Sequence, residues 1–140
     1  MAEDLLIKVQ DLEPNNPKWA DRLGSLYESQ MIGKSGEAKR AVAVKALAVL
    51  DKALSGATTG IERIDLLFRL GEVALEADHL EKAKLYTSEL LSKVPPQNEN
   101  WLYAGIVHDA SIILGRVVLR EGNIDKAKEY LIAAGRVPGS

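Results

Sequence analysis

The sequence predicts an all-α protein, a chain of about seven helices. Three observations carry that expectation. The apolar share, 46%, is chiefly Ala and Leu with some Val and Ile, and Ala and Leu lead the helix propensity scale. Gly, Pro and Asn punctuate the chain, and the stretches between them repeat with helical rather than alternating periodicity. Val42, Val44, Val49, Val117 and Val118 are β-branched, but each sits inside a helical pattern. No segment shows the strict alternation of a half-buried strand.

The first helix, over 2–12, aligns Ala2, Leu6 and Val9 and is followed by Pro14. The break Pro14-Asn15-Asn16-Pro17 introduces the second, over 17–31, which carries Leu23-Gly24 with Tyr27. After Gly33-Lys34-Ser35-Gly36 comes the third, over 37–55. Its stripe runs through Ala38, Ala41, Val42 and Lys45, then Ala46, Val49, Leu50 and Ala53. Ser55-Gly56 through Gly60 precede the fourth, over 61–77, with Leu70-Gly71 and Ala74. The fifth, over 80–93, spaces Ala83, Thr87 and Leu90 for one buried stripe. Pro95-Pro96-Gln97-Asn98 lead into the sixth, over 98–121, for which Asn98 is the expected N-cap. Trp101, Gly105, His108, Ile112 and Gly115 share one of its stripes, and Leu114-Gly115 pairs with Val118. Ala127, Leu131 and Ala134 mark the seventh, over 124–135.

A glycine inside a helix costs roughly 1 kcal/mol against alanine, so three of them beside leucine need a reason. Close approach of a neighbouring helix supplies one. Leu23-Gly24, Leu70-Gly71 and Leu114-Gly115 each lie mid-way along a helix, and the following helix carries spaced small residues. This pattern resembles the tetratricopeptide repeat, a 34-residue helix–turn–helix unit with a Leu-Gly-x-x-Tyr signature in its first helix. Pro14 and Pro95 fall where that unit's closing proline belongs, with Gly139 beside Pro138 in the last unit, while Asp78 and Gly122 take its turn position. The resemblance covers nearly the whole chain with uneven spacing: Leu23, Leu70 and Leu114 are 47 and 44 residues apart.

The resemblance implies a right-handed superhelix of antiparallel helix pairs, a single repeat domain over 1–140. Ala2, Leu6, Val9 and Pro14 match a second helix and its proline, so the chain is expected to be a segment of a longer protein or to pair through its ends with another copy. In that family the first helices line a concave groove for a partner segment. The groove positions implied here are Lys18, Asp21, Ser25, Glu28 and Ser29, then Asp65, Phe68, Glu72, Leu75 and Glu76, then Asp109, Ile112, Arg116, Leu119 and Arg120. The surface runs from acidic to basic with apolar residues between. It suits a protein or peptide segment of mixed charge with apolar anchors. The family's carboxylate clamp uses Lys, Asn and Arg, whereas Asp21, Asp65 and Asp109 recur at one of its positions, which speaks against that ligand.

Chemistry is harder to place. The chain has no cysteine, which removes disulfides, thiolate nucleophiles and zinc–thiolate sites together. A net charge of -2 argues against a general grip on nucleic acid. Gly33-Lys34-Ser35 lacks the glycine five residues earlier that a phosphate loop needs, since Glu28 stands there, and lacks a preceding strand. His79 reads as a turn residue and His108 as a packed one, and two adjacent donors such as His108 and Asp109 diverge on a helix. The serines show no strand-to-helix elbow, and Glu72 and Glu76 read as an acidic helix face. Trp19 and Trp101 read as apolar plugs near the starts of first helices, with a ligand-facing role as the alternative.

The expectation is therefore a non-catalytic protein–protein interaction scaffold, with no cofactor and no metal. Without a signal peptide or an apolar run of about 18 residues, it is expected to be cytoplasmic and not to engage a membrane. Two alternatives stand beside it: a regulatory or spacer segment of a larger bacterial protein, and an enzyme with a non-local site.

Overall fold

The computed structural model describes residues 2–14, 16–56, 60–93 and 101–135. These form seven α-helices and no strand: α1 (Ala2–Leu12), α2 (Pro17–Met31), α3 (Gly36–Gly56), α4 (Gly60–Glu76), α5 (Leu80–Ser92), α6 (Trp101–Arg120) and α7 (Ile124–Gly135). The boundaries fall within a residue or so of those expected, wherever they are described. The expected N-cap Asn98, and Pro95, Pro138 and Gly139, lie outside the described residues, as does the side chain of Trp101.

Local chemistry explains where the helices start and stop. Asn16 caps α2 by accepting from the Lys18 amide at 3.0 Å, and Pro17 occupies the first helical turn, where a missing N–H costs nothing. The turn after α4 and the turn after α6 repeat one bond pattern. His79 N–H donates to Ala74 O at 2.8 Å and Asp78 N–H to Leu75 O at 3.0 Å; Asn123 N–H donates to Val118 O at 2.9 Å and Gly122 N–H to Leu119 O at 3.0 Å. This is the Schellman termination, and it demands a left-handed residue. Gly122 takes that conformation freely at φ 87, while Asp78 adopts it at φ 60. The Asp78 carboxylate lies 3.8 Å from Arg40 on α3 and 3.7 Å from Arg120 on α6, a reason for an aspartate where glycine is easier.

Each helix packs against the next in sequence, and α4 also packs against α6. Three-residue connections after α4 and α6 make α4–α5 and α6–α7 helical hairpins. The core threads through α2 to α6, with Leu23, Leu50, Leu67, Leu70, Val73, Leu75, Thr87, Leu90 and Val117 fully buried. Each buried leucine contributes about 1.5–3 kcal/mol.

The helical glycines sit at the hairpin contacts. A Cβ on Gly24 would lie 2.7 Å from Leu50 Cγ, and one on Gly71 would lie 3.1 Å from Thr87 Cγ2. At Gly115 the nearest atom is Tyr130 Cβ, at 3.4 Å. Close helix approach, tightest in the first pair, is thus the reason for the Leu-Gly dipeptides. No helix among the described residues is long and apolar enough to cross a membrane.

Candidate functional site

The expected groove residues come from α2, α4 and α6, and Asp21, Glu28, Asp65, Glu76, Arg116 and Arg120 among them are engaged in a lattice of ion pairs that ties these helices together. Its centre is Arg69 on α4, a residue absent from the expected set, whose side chain is only 14% exposed. The guanidinium reaches α2, where it donates to Glu28 at 2.9 and 2.6 Å, to Ser25 Oγ at 3.0 Å, and to the Asp21 carboxylate. Asp65 lies 3.7 Å away, one turn back on α4. Burial works against its charge, but the hydrogen bonds it donates to Glu28 and Asp21 outweigh that and hold its pKa above the ordinary arginine value. Asp21, Ser25 and Glu28 form one helical stripe that fits this single fork.

The α6 cations are likewise used within the chain. Arg116 donates to Glu76 Oε1 at 3.3 Å, and Lys39 of α3 approaches the same carboxylate at 3.4 Å. Arg120 donates to the Leu75 carbonyl at 2.5 Å, a second donor beside the Asp78 amide at the end of α4. Phe68 packs partly buried against the core. Ile112 is half-buried, and with Arg116 it lines a different cleft, between α6 and α7.

Three acidic residues also share an accessible cleft. Glu28, Met31, Ile32, Lys39, Glu72, Val73 and Glu76 line a cleft of about 270 Å³ where α2, α3 and α4 meet. Asp109 of α6 acts on Glu72 across the same face. Burial raises the Glu72 pKa above its ordinary value of 4.5; Asp109, Glu28 and Glu76 add repulsion, and Arg116 offsets part of it. Ionising Glu72 therefore costs folding stability, a cost present above the ordinary carboxylate range and removed as pH falls through the raised pKa. Glu72→Gln is expected to melt higher than the parent at neutral pH. Because Glu72 remains exposed to screening water, the gain should be at most about 1 kcal/mol. Thermal melts at neutral pH and again well below the carboxylate range check this: the difference should vanish in acid.

The histidines and Trp19 occupy structural positions. His108 Nδ1 lies 3.2 Å from the Ala134 carbonyl, half-buried between α6 and α7, and His79 is an exposed residue at the start of α5. Trp19 is half-exposed; Lys18 and Arg22 lie 5.3 and 5.6 Å from its ring centroid, and its Nε1–H donates to Glu13 at 3.3 Å. Its ring is flanked by these two cations. Among the described residues no three metal-ligating side chains converge. Gly33 and Gly36, both at positive φ, make Gly33-Lys34-Ser35 a connector between α2 and α3.

No protein-family model matches the chain, and no curated protein is significantly similar to it.

Proposed function

We propose that the chain is a non-catalytic interaction scaffold of tetratricopeptide-like helix pairs, right-handed in their superhelix, that binds a protein or peptide segment along the face of α2, α4 and α6. The observation that carries this reading is the distribution of charge on that face. Arg69 engages the α2 carboxylates Asp21 and Glu28, whereas Glu72 and Asp109 repel one another on an accessible surface. A basic side chain from a partner would relieve that repulsion, and Met31, Ile32 and Val73 in the adjoining cleft offer apolar contact. The repeated Schellman turns and the glycine contacts support the repeat reading.

Arg120 is a poor residue for testing the groove, because it also bonds the Leu75 carbonyl and pairs with Asp78 at the end of α4. Glu72 and Asp109 are better, since both are exposed. A random peptide library displayed on phage and panned on the chain is expected to enrich segments that combine a basic residue with apolar ones. Glu72→Lys with Asp109→Lys should lower binding of those peptides at least tenfold. Enrichment of acidic peptides, or affinity unchanged by the double substitution, would discard the groove.

A further inference from the structure

The α4–α5 and α6–α7 hairpins repeat one another at an offset of 44 residues, from Leu70-Gly71 and Leu114-Gly115 to Ala83 and Ala127. On the first hairpin the outer surface is covered by α6. Leu75 and Thr87 are fully buried there, and Ile113 Cδ1 lies 3.8 Å from the Cβ position of Gly71. Glu121, just past α6, reaches Lys84 at 2.7 Å. On the second hairpin the matching residues are open: Leu119 is 55% exposed and Leu131 64%. They line, with Ile112, Ile124, Arg116 and Lys128, a cleft of about 310 Å³ whose accessible wall is almost wholly apolar. Lys128 corresponds to Lys84 and, among the described residues, has no carboxylate partner.

The other end of the chain carries a face that complements this cleft. On α1, Leu6, Val9 and Gln10 are the sheltered positions, and Glu3 accepts from the Tyr27 hydroxyl of α2 at 3.1 Å. Away from that side, Leu5 is 64% exposed and Leu12 82%. These two leucines are seven residues apart, the same interval as Ile112 to Leu119 and Ile124 to Leu131. Three rows of equal spacing, about 10 Å long, suit packing of one helix into the cleft between two others. Exposed Asp4 and Asp11 precede the α1 leucines at the same interval, opposite in charge to Lys128 at the cleft and to Arg116, which is half-exposed beside its Glu76 partner. A two-fold pairing of clefts would instead bring two like-charged sets of Arg116 and Lys128 together.

We propose that the α6–α7 cleft receives the Leu5/Leu12 face of α1 from a second copy of this chain, so that copies join head to tail. Such a contact is heterologous and does not close on itself, so it propagates.

Sedimentation velocity and light scattering across a concentration series test this. The mass-average should climb past two copies as concentration rises, and should fall back with added salt. Lys128→Glu and Asp11→Lys should each reduce the association at least tenfold, with the helical circular dichroism and melting of the parent retained. Combining the two in one chain should restore growth, because the swapped charges again oppose; a variant that merely misfolded would not be rescued this way. A monomer at every concentration would assign the cleft to a foreign helix and overturn the proposal. A closed dimer of fixed mass would overturn it in favour of two-fold packing, and so would growth indifferent to both single substitutions.

Discussion

Replacing Gly71 by leucine is expected to lower the melting temperature by roughly 10 °C, from a loss of about 3 kcal/mol. A Cβ at this position would already lie 3.1 Å from Thr87 Cγ2, with Ile113 Cδ1 behind it at 3.8 Å. Thr87 cannot turn its methyl aside cheaply, because its hydroxyl is bonded to the Ala83 carbonyl and the residue is fully buried. The three carbons beyond Cβ therefore have to part α4 from α5 or displace Ile113 from both. Gly71→Ala is a different case. Its single methyl needs a few tenths of an ångström from Thr87, while the helix gains about 1 kcal/mol of propensity, so alanine should melt close to the parent. Equal melting of the alanine and leucine variants would remove close packing as the reason for this glycine.

That glycine also shows what was legible in the sequence. A helix-interior glycine beside leucine is a local anomaly, and its cause, a neighbouring helix too close for a side chain, can be inferred without coordinates. The turns at Asp78 and Gly122 are legible for a similar reason, since a helix end of this kind needs one left-handed residue at a fixed place. Seven helices follow from periodicity and punctuation, both of which are local. The ion-pair lattice is not local. Arg69 meets partners 41, 44 and 48 residues away, and its choice among them depends on how far α2 stands from α4. Periodicity places Asp21 and Glu28 on one stripe; it does not say whether that stripe meets a ligand or an arginine of the same chain. The open cleft at the far end is intermediate, because it is seen only by comparing one hairpin with its covered predecessor.

The same non-local lattice leads to the second large effect, at Arg69 itself. Arg69→Met keeps most of the aliphatic stem and removes the fork, leaving Asp21, Glu28 and Asp65 facing one another with no cation between them. Breaking a fully buried pair by removing one partner costs about 3–5 kcal/mol. Here the carboxylates are partly exposed, with Asp21 at 48% and Glu28 at 30%, so water recovers part of that and a loss of about 2 kcal/mol is expected. Arg69→Lys should not repair it, since one ammonium cannot reproduce donors aimed at Glu28, Ser25 and Asp21 together. The decisive measurement is a double-mutant cycle by urea unfolding. In the Arg69→Met background, Glu28→Gln should cost less than in the parent, or even stabilise, because it removes a charge that has lost its partner. Additive effects of the two substitutions would mean that the Arg69–Glu28 pair contributes nothing to the α2–α4 contact, and that Glu28 is free to meet a ligand after all.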